Sequence, residues 1–257
     1  TKNGNSLIMA INTEKNSYTV VFAVLMVVVV GSLLAFVASG LKPMIDENER
    51  FEKQQNILYA MGVNENEGDG DVAFVPTSEV EEAFAKYITQ QLVLEGSKAV
   101  EKQDAYLINV EKALAKAKSG EKAELPLLIG EKDGEKFYII PMYGKGLWDA
   151  IWGYLSVDEN MVIKGVYFDH RGETPGLGAN IKQRFFMDDF KGELVVQGNT
   201  YVGVEVAKGN NDPLNNEKED NQVDALAGAT ITGNGVTAMI KESLKLYKPY
   251  LQTIRSN

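Results

Sequence analysis

The sequence predicts an α+β domain, an antiparallel sheet packed with helices, preceded by one N-terminal transmembrane helix. Three features lead to this prediction: an uncharged apolar run near the N-terminus, strand–turn–strand patterns in the second half, and an apolar helical stripe near the C-terminus. Strands that follow one another through short turns favour antiparallel pairing. The chain is accordingly divided into an N-terminal tail at 1–17, a transmembrane helix at 18–39, a juxtamembrane and peripheral helical region at 40–124, and a folded domain at 125–257.

The transmembrane helix is predicted from residues 18–39, which read YTVVFAVLMVVVVGSLLAFVAS without a charge. About 20 apolar residues span the hydrocarbon core of a bilayer as a helix. A cleaved signal peptide is the alternative, with 37–39 as its cleavage site, but such peptides have a shorter apolar centre. Length therefore favours a retained single span. The flanking cations leave its orientation open, because they are nearly balanced: Lys2 and Lys15 before the span, and Lys42, Arg50 and Lys53 after it.

Residues 40–124 are predicted to be mainly helical. After Pro43, apolar residues at helical spacing from Phe51 to Met61 indicate a juxtamembrane helix that Gly62 ends. The acidic, glycine-rich stretch that follows lacks the spacing of a calcium-binding loop and is interpreted as a solvated turn. Residues 77–118 carry charges of both signs and few apolar stripes, so they are predicted to form peripheral helices.

The domain from residue 125 onward begins with strands and turns. Residues 126–144 and 150–170 each predict two strands, joined by Asp-Gly in the first and by Asp-Glu-Asn in the second. A further strand pair is predicted at 193–209, and a polar loop at 210–222 leads to the last helix. That helix is predicted from about Gly235 to Tyr247, with one face formed by Val236, Met239, Ile240, Ser243, Leu244 and Tyr247.

Composition argues against several classes of protein. A net charge of −10 argues against a nucleic-acid binder, which needs a basic face to meet phosphates. The chain has no cysteine and one histidine, His170, which removes disulfides, iron–sulfur ligation and most zinc sites, so no metal site is predicted. No general acid–base pair and no nucleophile with its base stands out, so no catalytic residue is predicted.

Three glycine-rich stretches are more polar than simple packing requires: residues 143–148, 170–178 and 224–235. Glycine lacks a Cβ and adopts left-handed dihedrals, so backbone N–H groups at such places can approach an anion. The third stretch also opens the last helix, which puts Thr230 and Thr232 near a helix N-terminus that favours a phosphate. Trp148 and Trp152 offer flat apolar faces for an aromatic ring system.

Each of these features also has an ordinary structural interpretation. Either threonine could be an N-cap, the second stretch could be a loop shaped by Pro175 and its glycines, and Trp148 could belong to the core. Residues 233–238 fit the letters of a dinucleotide-binding fingerprint, but no clear apolar strand comes immediately before them. His170 is interpreted as a polar loop residue rather than a ligand. The residues by themselves leave these alternatives open.

Taken together and in this order, three motifs carry a resemblance to a known family: GKGLW at 144–148, GETPGLG at 172–178 and DALAGATITGNGV at 224–236. Behind a single N-terminal span, they resemble the FMN-binding domain family found in the C subunit of the sodium-translocating NADH:quinone oxidoreductase. The G subunit of the Rnf complex shares this domain. The longer agreement in GETPGLG and GLW favours the quinone reductase over the Rnf complex.

The resemblance implies a covalent attachment site for FMN. The family's signature is an Asp, two residues, a small or hydroxyl residue, and then Gly-Ala-Thr, whose threonine receives FMN through its phosphate. In this sequence the signature falls on Asp224, Gly228, Ala229 and Thr230. One departure is Ala227, which stands where Ser or Thr is usual and could weaken recognition by the flavin transferase. The family thus implies one covalent FMN per chain.

The other two motifs are implied to surround the flavin ring. Their positions in the family fold imply that the ring is lined by Glu173, Thr174, Leu177 and Gly178, with Trp148 beside it. Thr232, two residues after the attachment threonine, completes the cofactor-binding residues that we predict.

The implied function is that of an electron relay, without activity of its own, within a larger respiratory complex. Electrons from NADH enter at another subunit, pass through iron–sulfur and flavin centres, and reach quinone while sodium crosses the membrane. The expected partners are the other integral-membrane, flavin and iron–sulfur subunits, and a flavin transferase for maturation. The expected location is the bacterial inner membrane, single-pass, with the flavin domain on the periplasmic side. The alternatives are the G subunit of the Rnf complex, a membrane-anchored non-redox module that binds an anionic ligand, and a structural subunit whose flavin site has decayed.

Overall fold

The computed structural model describes residues 16–68, 70–210, 212–213 and 215–255. The chain divides into two compact units, with the boundary after Glu49. Helix α1 (Asn16–Ala60) contains the whole predicted span at 18–39, and its most apolar window has a mean hydropathy of 3.0. Most of the predicted tail at 1–17 lies outside the described residues. Within the described ranges, α1 is the one helix long and apolar enough to cross a membrane.

The predicted juxtamembrane helix is a continuation of α1 rather than a separate helix. It ends as predicted at Gly62, which adopts φ +73. Gly62 N donates to Tyr59 O and Val63 N donates to Leu58 O, both at 2.9 Å, which is the Schellman pattern of a helix C-terminus. Leu58 and Tyr59 are buried, so this end of the helix belongs to the hydrophobic core of the second unit.

The prediction that residues 77–118 form peripheral helices is wrong for part of this region. Its elements are α2 (Val80–Tyr87), β1 (Ile88–Glu95), β2 (Lys98–Glu101), a 3₁₀ turn (Ala105–Leu107) and α3 (Val110–Lys118). Strand β1 pairs with a strand that begins at Leu125, so the boundary predicted at 124 and 125 cuts through one sheet. The polar pair Gln90 and Gln91 interrupts the apolar pattern of β1, and its stability comes from pairing that is distant in sequence.

The sheet has six strands within the described part of the chain, in the order β2-β1-β3-β4-β5-β6, and every neighbouring pair is antiparallel. Its last four strands are β3 (Leu125–Lys132), β4 (Glu135–Lys145), β5 (Ala150–Val157) and β6 (Ile163–His170). Both predicted hairpins are confirmed. In the first, Asp133 and Gly134 have φ +54 and +81, and a type I′ turn needs positive φ at both of its central residues.

Short elements form the chain between the sheet and the last helix: a 3₁₀ turn (Gly178–Lys182), α4 (Arg184–Asp189), β7 (Val196–Gln197), β8 (Thr200–Tyr201), β9 (Glu205–Val206) and β10 (Gln222–Val223). The strand pair predicted at 193–209 is present as the short antiparallel β7–β8 hairpin. Strand β9 pairs in parallel with β10, so the polar loop at 210–222 returns the chain to the segment that begins at Asp224. Residues 211 and 214 lie outside the described residues.

Helix α5 (Thr230–Arg255) packs its apolar face on the sheet, chiefly on β4. Its buried positions contain the predicted face and extend it at both ends: Thr232, Gly233, Val236, Met239, Ile240, Ser243, Leu244, Tyr247 and Leu251. Tyr247 donates its hydroxyl to Pro126 O at 2.8 Å and so ties the helix to β3. The helix begins at Thr230 rather than at Gly235. Gly233 and Gly235 therefore lie inside it, where Val206 and the Lys145 carbonyl leave no room for a side chain.

Candidate functional site

The three glycine-rich stretches meet at the side chain of Glu173. Trp148 N, in the turn between β4 and β5, donates to Glu173 Oε1 at 2.9 Å. Thr232 Oγ1, in the first turn of α5, donates to Glu173 Oε2 at 2.6 Å. Glu173 is 4% exposed and Thr232 is 1% exposed. One buried carboxylate therefore joins stretches that are distant in the sequence.

The surroundings of Glu173 favour its ionised form. Burial opposes ionisation, but hydrogen bonds from Thr232 and from the backbone of residues 147–149 outweigh it and hold the pKa of Glu173 below its usual value. Glu173 N donates to His170 Nδ1 at 3.2 Å, so the imidazole acts there as an acceptor. His170 is the last residue of β6, so its interpretation as a loop residue is wrong, and its imidazole supports the loop that begins directly after the strand.

Two glycines make room for this carboxylate. A Cβ on Gly146 would lie 2.5 Å from Glu173 Oε1, and a Cβ on Gly178 would lie 2.5 Å from Thr232 Oγ1 and also against Glu173 Oε2. Such contacts are too short for real atoms, and none of these oxygens can move without losing a hydrogen bond. Gly146 is not among the predicted site residues, although its place in the GKGLW motif was a signal for it.

Trp148 and Leu177 present exposed apolar surface beside this cluster. Trp148 is 67% exposed, which excludes the core position, and its Nε1 donates to Thr174 Oγ1 at 3.2 Å. Leu177 is 43% exposed and lies against Gly228, where a Cβ would be 2.8 Å from its Cδ2. Trp152 lies instead within β5 and is only partly exposed. Of the two tryptophans, Trp148 is therefore the more accessible to a ligand.

Thr230 is an exposed residue at the start of α5. A turn leads into it, with Ala229 N donating to Leu226 O at 3.0 Å and Gly228 at φ +68 in the third position, where type II turns favour glycine. Ala229 O accepts from Gly233 N at 2.9 Å, so Ala229 occupies the N-cap position. The N-cap interpretation of the two threonines is therefore wrong, and the side chain of Thr230 lies at the surface.

Asp224 and Ala227 belong to the same segment. Asp224 N donates to Asp189 Oδ2 at 3.2 Å, which attaches the segment to the end of α4. Ala227 is exposed in the turn, so a hydroxyl at this position would lie at the surface. Alanine at this place therefore leaves the turn itself intact.

This arrangement fits a phosphorylated aromatic ligand. A helix N-terminus offers unpaired N–H groups and a favourable dipole to a phosphate, and Thr230 stands at that end of α5. Apolar surface for a ring is available on Trp148 and Leu177, and on Ile231, which is 57% exposed. Ile231 is absent from the predicted set, although its position directly after Thr230 was a signal for it.

Two other kinds of site are not supported. The glycines of the dinucleotide-like letters at 233–238 lie inside α5, where Gly233 and Gly235 pack against Val206 and Lys145. They form no loop that could hold a pyrophosphate, so that interpretation is wrong. Among the residues that the structure describes, no group of three or more His, Cys, Asp or Glu is placed to hold a metal ion.

Comparison with protein families finds a match in the same part of the chain. The profile of the FMN-binding domain family matches residues 146–245. This range begins at the turn that contains Trp148 and ends within α5. It therefore includes every residue predicted to bind the cofactor.

Curated relatives match nearly the whole chain. The C subunit of the Na(+)-translocating NADH-quinone reductase of Haemophilus ducreyi is 29% identical over 237 residues, covering 90% of this chain and 90% of its own. The corresponding C subunit of Neisseria meningitidis serogroup B is 29% identical over 259 residues, covering 96% of this chain and 98% of its own.

Solved structures agree with the curated relatives. The crystal structure of the C subunit of the Na(+)-translocating NADH-quinone reductase from Parabacteroides distasonis is 32% identical and superposes with a TM-score of 0.70, covering 82% of this chain and 96% of that one. The structure of NqrC from Shewanella oneidensis, at 24% identity and a TM-score of 0.66, shares the fold.

Proposed function

The chain belongs to the family of C subunits of the Na(+)-translocating NADH-quinone reductase, and we propose that it carries one FMN attached covalently to Thr230. It is an FMN-binding subunit of this sodium-translocating oxidoreductase and takes part in its electron transport. The relatives described above are quinone-reductase subunits, which favours this complex over the Rnf alternative. Covalent attachment is supported by the geometry around Thr230.

The observation that carries the proposal is the exposed position of Thr230 at the first residue of α5. An acceptor threonine must be accessible to a flavin transferase, and the turn through Gly228 presents it at the surface. The unpaired N–H groups at this helix end can then receive the negative charge of the phosphate that the threonine carries. Asp224 begins the segment, and its backbone contact with Asp189 holds that segment in place.

The neighbouring residues would hold the ring system. Trp148, Leu177 and Ile231 offer the apolar surface, and Thr174 fixes the indole of Trp148 through the hydrogen bond to Nε1. These residues are supported on the interior side by three buried residues, Glu173, Gly178 and Thr232. When bound, FMN supplies the redox chemistry, while the chain supplies its attachment, orientation and electrostatic environment.

We place the flavin domain on the periplasmic side of the bacterial inner membrane, with α1 as a single-pass anchor. The apolar part of α1 is consistent with such an anchor. A covalent phosphoester is useful at a periplasmic site, because a cofactor held only by reversible contacts would be lost to the exterior. The partners are then the other integral-membrane, flavin and iron–sulfur subunits of the complex, and a flavin transferase that modifies Thr230.

The experiment is to purify the full-length protein from its own membranes and denature it on a gel under ultraviolet light. We expect a fluorescent band, and mass spectrometry of the Thr230 peptide should find FMN minus one water. A dark band with unmodified Thr230 would remove covalent flavinylation and leave the non-redox module or the structural role as the better interpretation.

Matched variants locate the attachment. Thr230→Val removes the hydroxyl with little change of shape and should abolish the fluorescent band. Thr232→Val removes the neighbouring hydroxyl and should leave the mass addition on Thr230. Modification that survives Thr230→Val would place the flavin on another residue. Ala227→Ser tests the departure from the family signature, and we expect it to raise the modified fraction.

A further inference from the structure

Glu173 keeps a negative charge in a buried place, although an amide could make the two hydrogen bonds that join the three glycine-rich stretches. A glutamine could accept from Trp148 N through Oε1 and donate to Thr232 Oγ1 through Nε2, because a hydroxyl can accept as well as donate. An amide would therefore join the same stretches without the cost of burying an ion. The carboxylate instead occupies this position, held by donors from Thr232 and from the backbone of residues 147–149.

This charge is in contact with residues next to the proposed flavin site. One of its oxygens accepts from Thr232, two residues after Thr230 in the first turn of α5. The other oxygen accepts from the backbone of Trp148, whose exposed side chain is part of the apolar surface. A charge in a buried place acts strongly on its surroundings, because little water screens it.

We propose that Glu173 is a positioning residue whose fixed negative charge lowers the reduction potential of the flavin. The inference rests on the proposed function, since it needs FMN on Thr230. Each electron that the ring accepts adds one negative charge, unless a proton from solvent accompanies it. A carboxylate nearby opposes this added charge, so reduction requires a stronger donor. In the complex the donor is an upstream electron carrier.

The test is a redox titration of the flavinylated, full-length Glu173→Gln variant, with dithionite as reductant and the flavin absorbance as the signal. We expect a midpoint potential that is more positive than that of the wild type. Mass spectrometry of the Thr230 peptide is recorded on the same sample. A potential that is unchanged or more negative, with FMN present on Thr230, would overturn the proposal.

Thr232→Val provides a second test that does not depend on Glu173→Gln. It removes the hydroxyl that donates to the carboxylate, so Glu173 should take up a proton more readily and the potential should gain an additional pH dependence. Thr232→Ser keeps the donor and should follow the wild type at every pH. If Glu173 only held the loops together, the potential of Thr232→Val would change by the same amount at every pH.

A remote carboxylate provides the control for net charge. Glu131 is exposed and pairs with Lys136, whereas the flavin site lies beyond Lys145 at the other end of β4, about 30 Å away at ~3.3 Å per residue. Glu131→Gln should leave the potential unchanged, since about 8 Å is the screening length at physiological salt. An unmodified Thr230 in the wild type would refute the proposed function. A modified Thr230 with an unchanged midpoint potential in Glu173→Gln would refute only this inference.

Discussion

Glu193 is a buried carboxylate outside the flavin site, and its ionisation should govern how stability depends on pH. It is 0% exposed, and Lys218 Nζ lies 3.9 Å from its Oε1, beyond the distance of a good hydrogen bond. Burial raises the pKa of Glu193 to about 7, although Lys218 acts in the opposite direction. The folded protein therefore keeps a proton on Glu193 at a pH where an exposed glutamate has lost it.

The size and sign of the effect follow from the two pKa values. The unfolded chain releases this proton near pH 4.5 and the folded chain near pH 7, so the free energy of unfolding falls as the pH rises between them. The contribution is fully present below pH 4.5 and is lost above pH 7, and at ~1.4 kcal/mol per unit it amounts to about 3 kcal/mol. Glu193→Gln has no proton to release. It should be more stable than the wild type by up to about 3 kcal/mol at pH 8, and this difference should fall to about 1 kcal/mol at pH 5.

The assay is urea unfolding of the full-length protein in mild detergent, followed by tryptophan fluorescence at several pH values from 5 to 8. Glu131→Gln removes an exposed carboxylate and serves as the control. Its free energy of unfolding should vary with pH in parallel with that of the wild type. The reasoning is refuted if the free energies of unfolding of the wild type and Glu193→Gln also vary with pH in parallel. Glu193 would then have the same pKa in the folded and the unfolded chain.

The packing of α5 and the membrane orientation of the chain can each be tested by substitution. Gly235→Ala should destabilise the protein by about 1–2 kcal/mol in urea unfolding, because a Cβ would clash with Lys145 O, and this outweighs the ~1 kcal/mol that alanine gains in helix propensity. The exposed Asn234→Ala should be neutral or stabilising, and a Gly235→Ala variant as stable as the wild type would contradict the packing. Because the chain has no cysteine, Ser97→Cys and Ser6→Cys can each be labelled alone in intact cells after outer-membrane permeabilisation. An impermeant maleimide should label the exposed Ser97 position and spare the tail, and the reverse pattern would contradict the periplasmic placement.

Local signals were sufficient for the central part of the fold. The Asp-Gly turn between β3 and β4 was predictable because Asp133 and Gly134 both tolerate the positive φ that the turn requires. The apolar face of α5 was predictable because Val236, Ile240 and Leu244 repeat at the helical period. In both places a short stretch of sequence favours the structure that the whole domain adopts.

Strand β1 could not be predicted from local signals of this kind. Leu92, Val93 and Leu94 are all buried, but the polar Gln90 and Gln91 before them and the charged residues that flank the strand hide it. The strand is fixed by pairing with β3, and a contact between distant segments leaves no mark on the local pattern. The same holds for the start of α5, where the glycines weaken the helix locally but allow it to lie close to β4.

The role of Glu173 could not be predicted from the sequence for a related reason. Its motif indicated a residue facing the ring, whereas its carboxylate is directed into the protein, where Trp148 N and Thr232 Oγ1 bind it. That geometry also explains why glycine occupies positions 146 and 178 in two different motifs. A Cβ at Gly146 or Gly178 would collide with the Glu173 carboxylate. The glycines therefore follow from the position of one buried charge as well as from access for a ligand. A variant that removes the carboxyl group, such as Glu173→Ala, should consequently affect all three motifs together, although they are separate in the sequence.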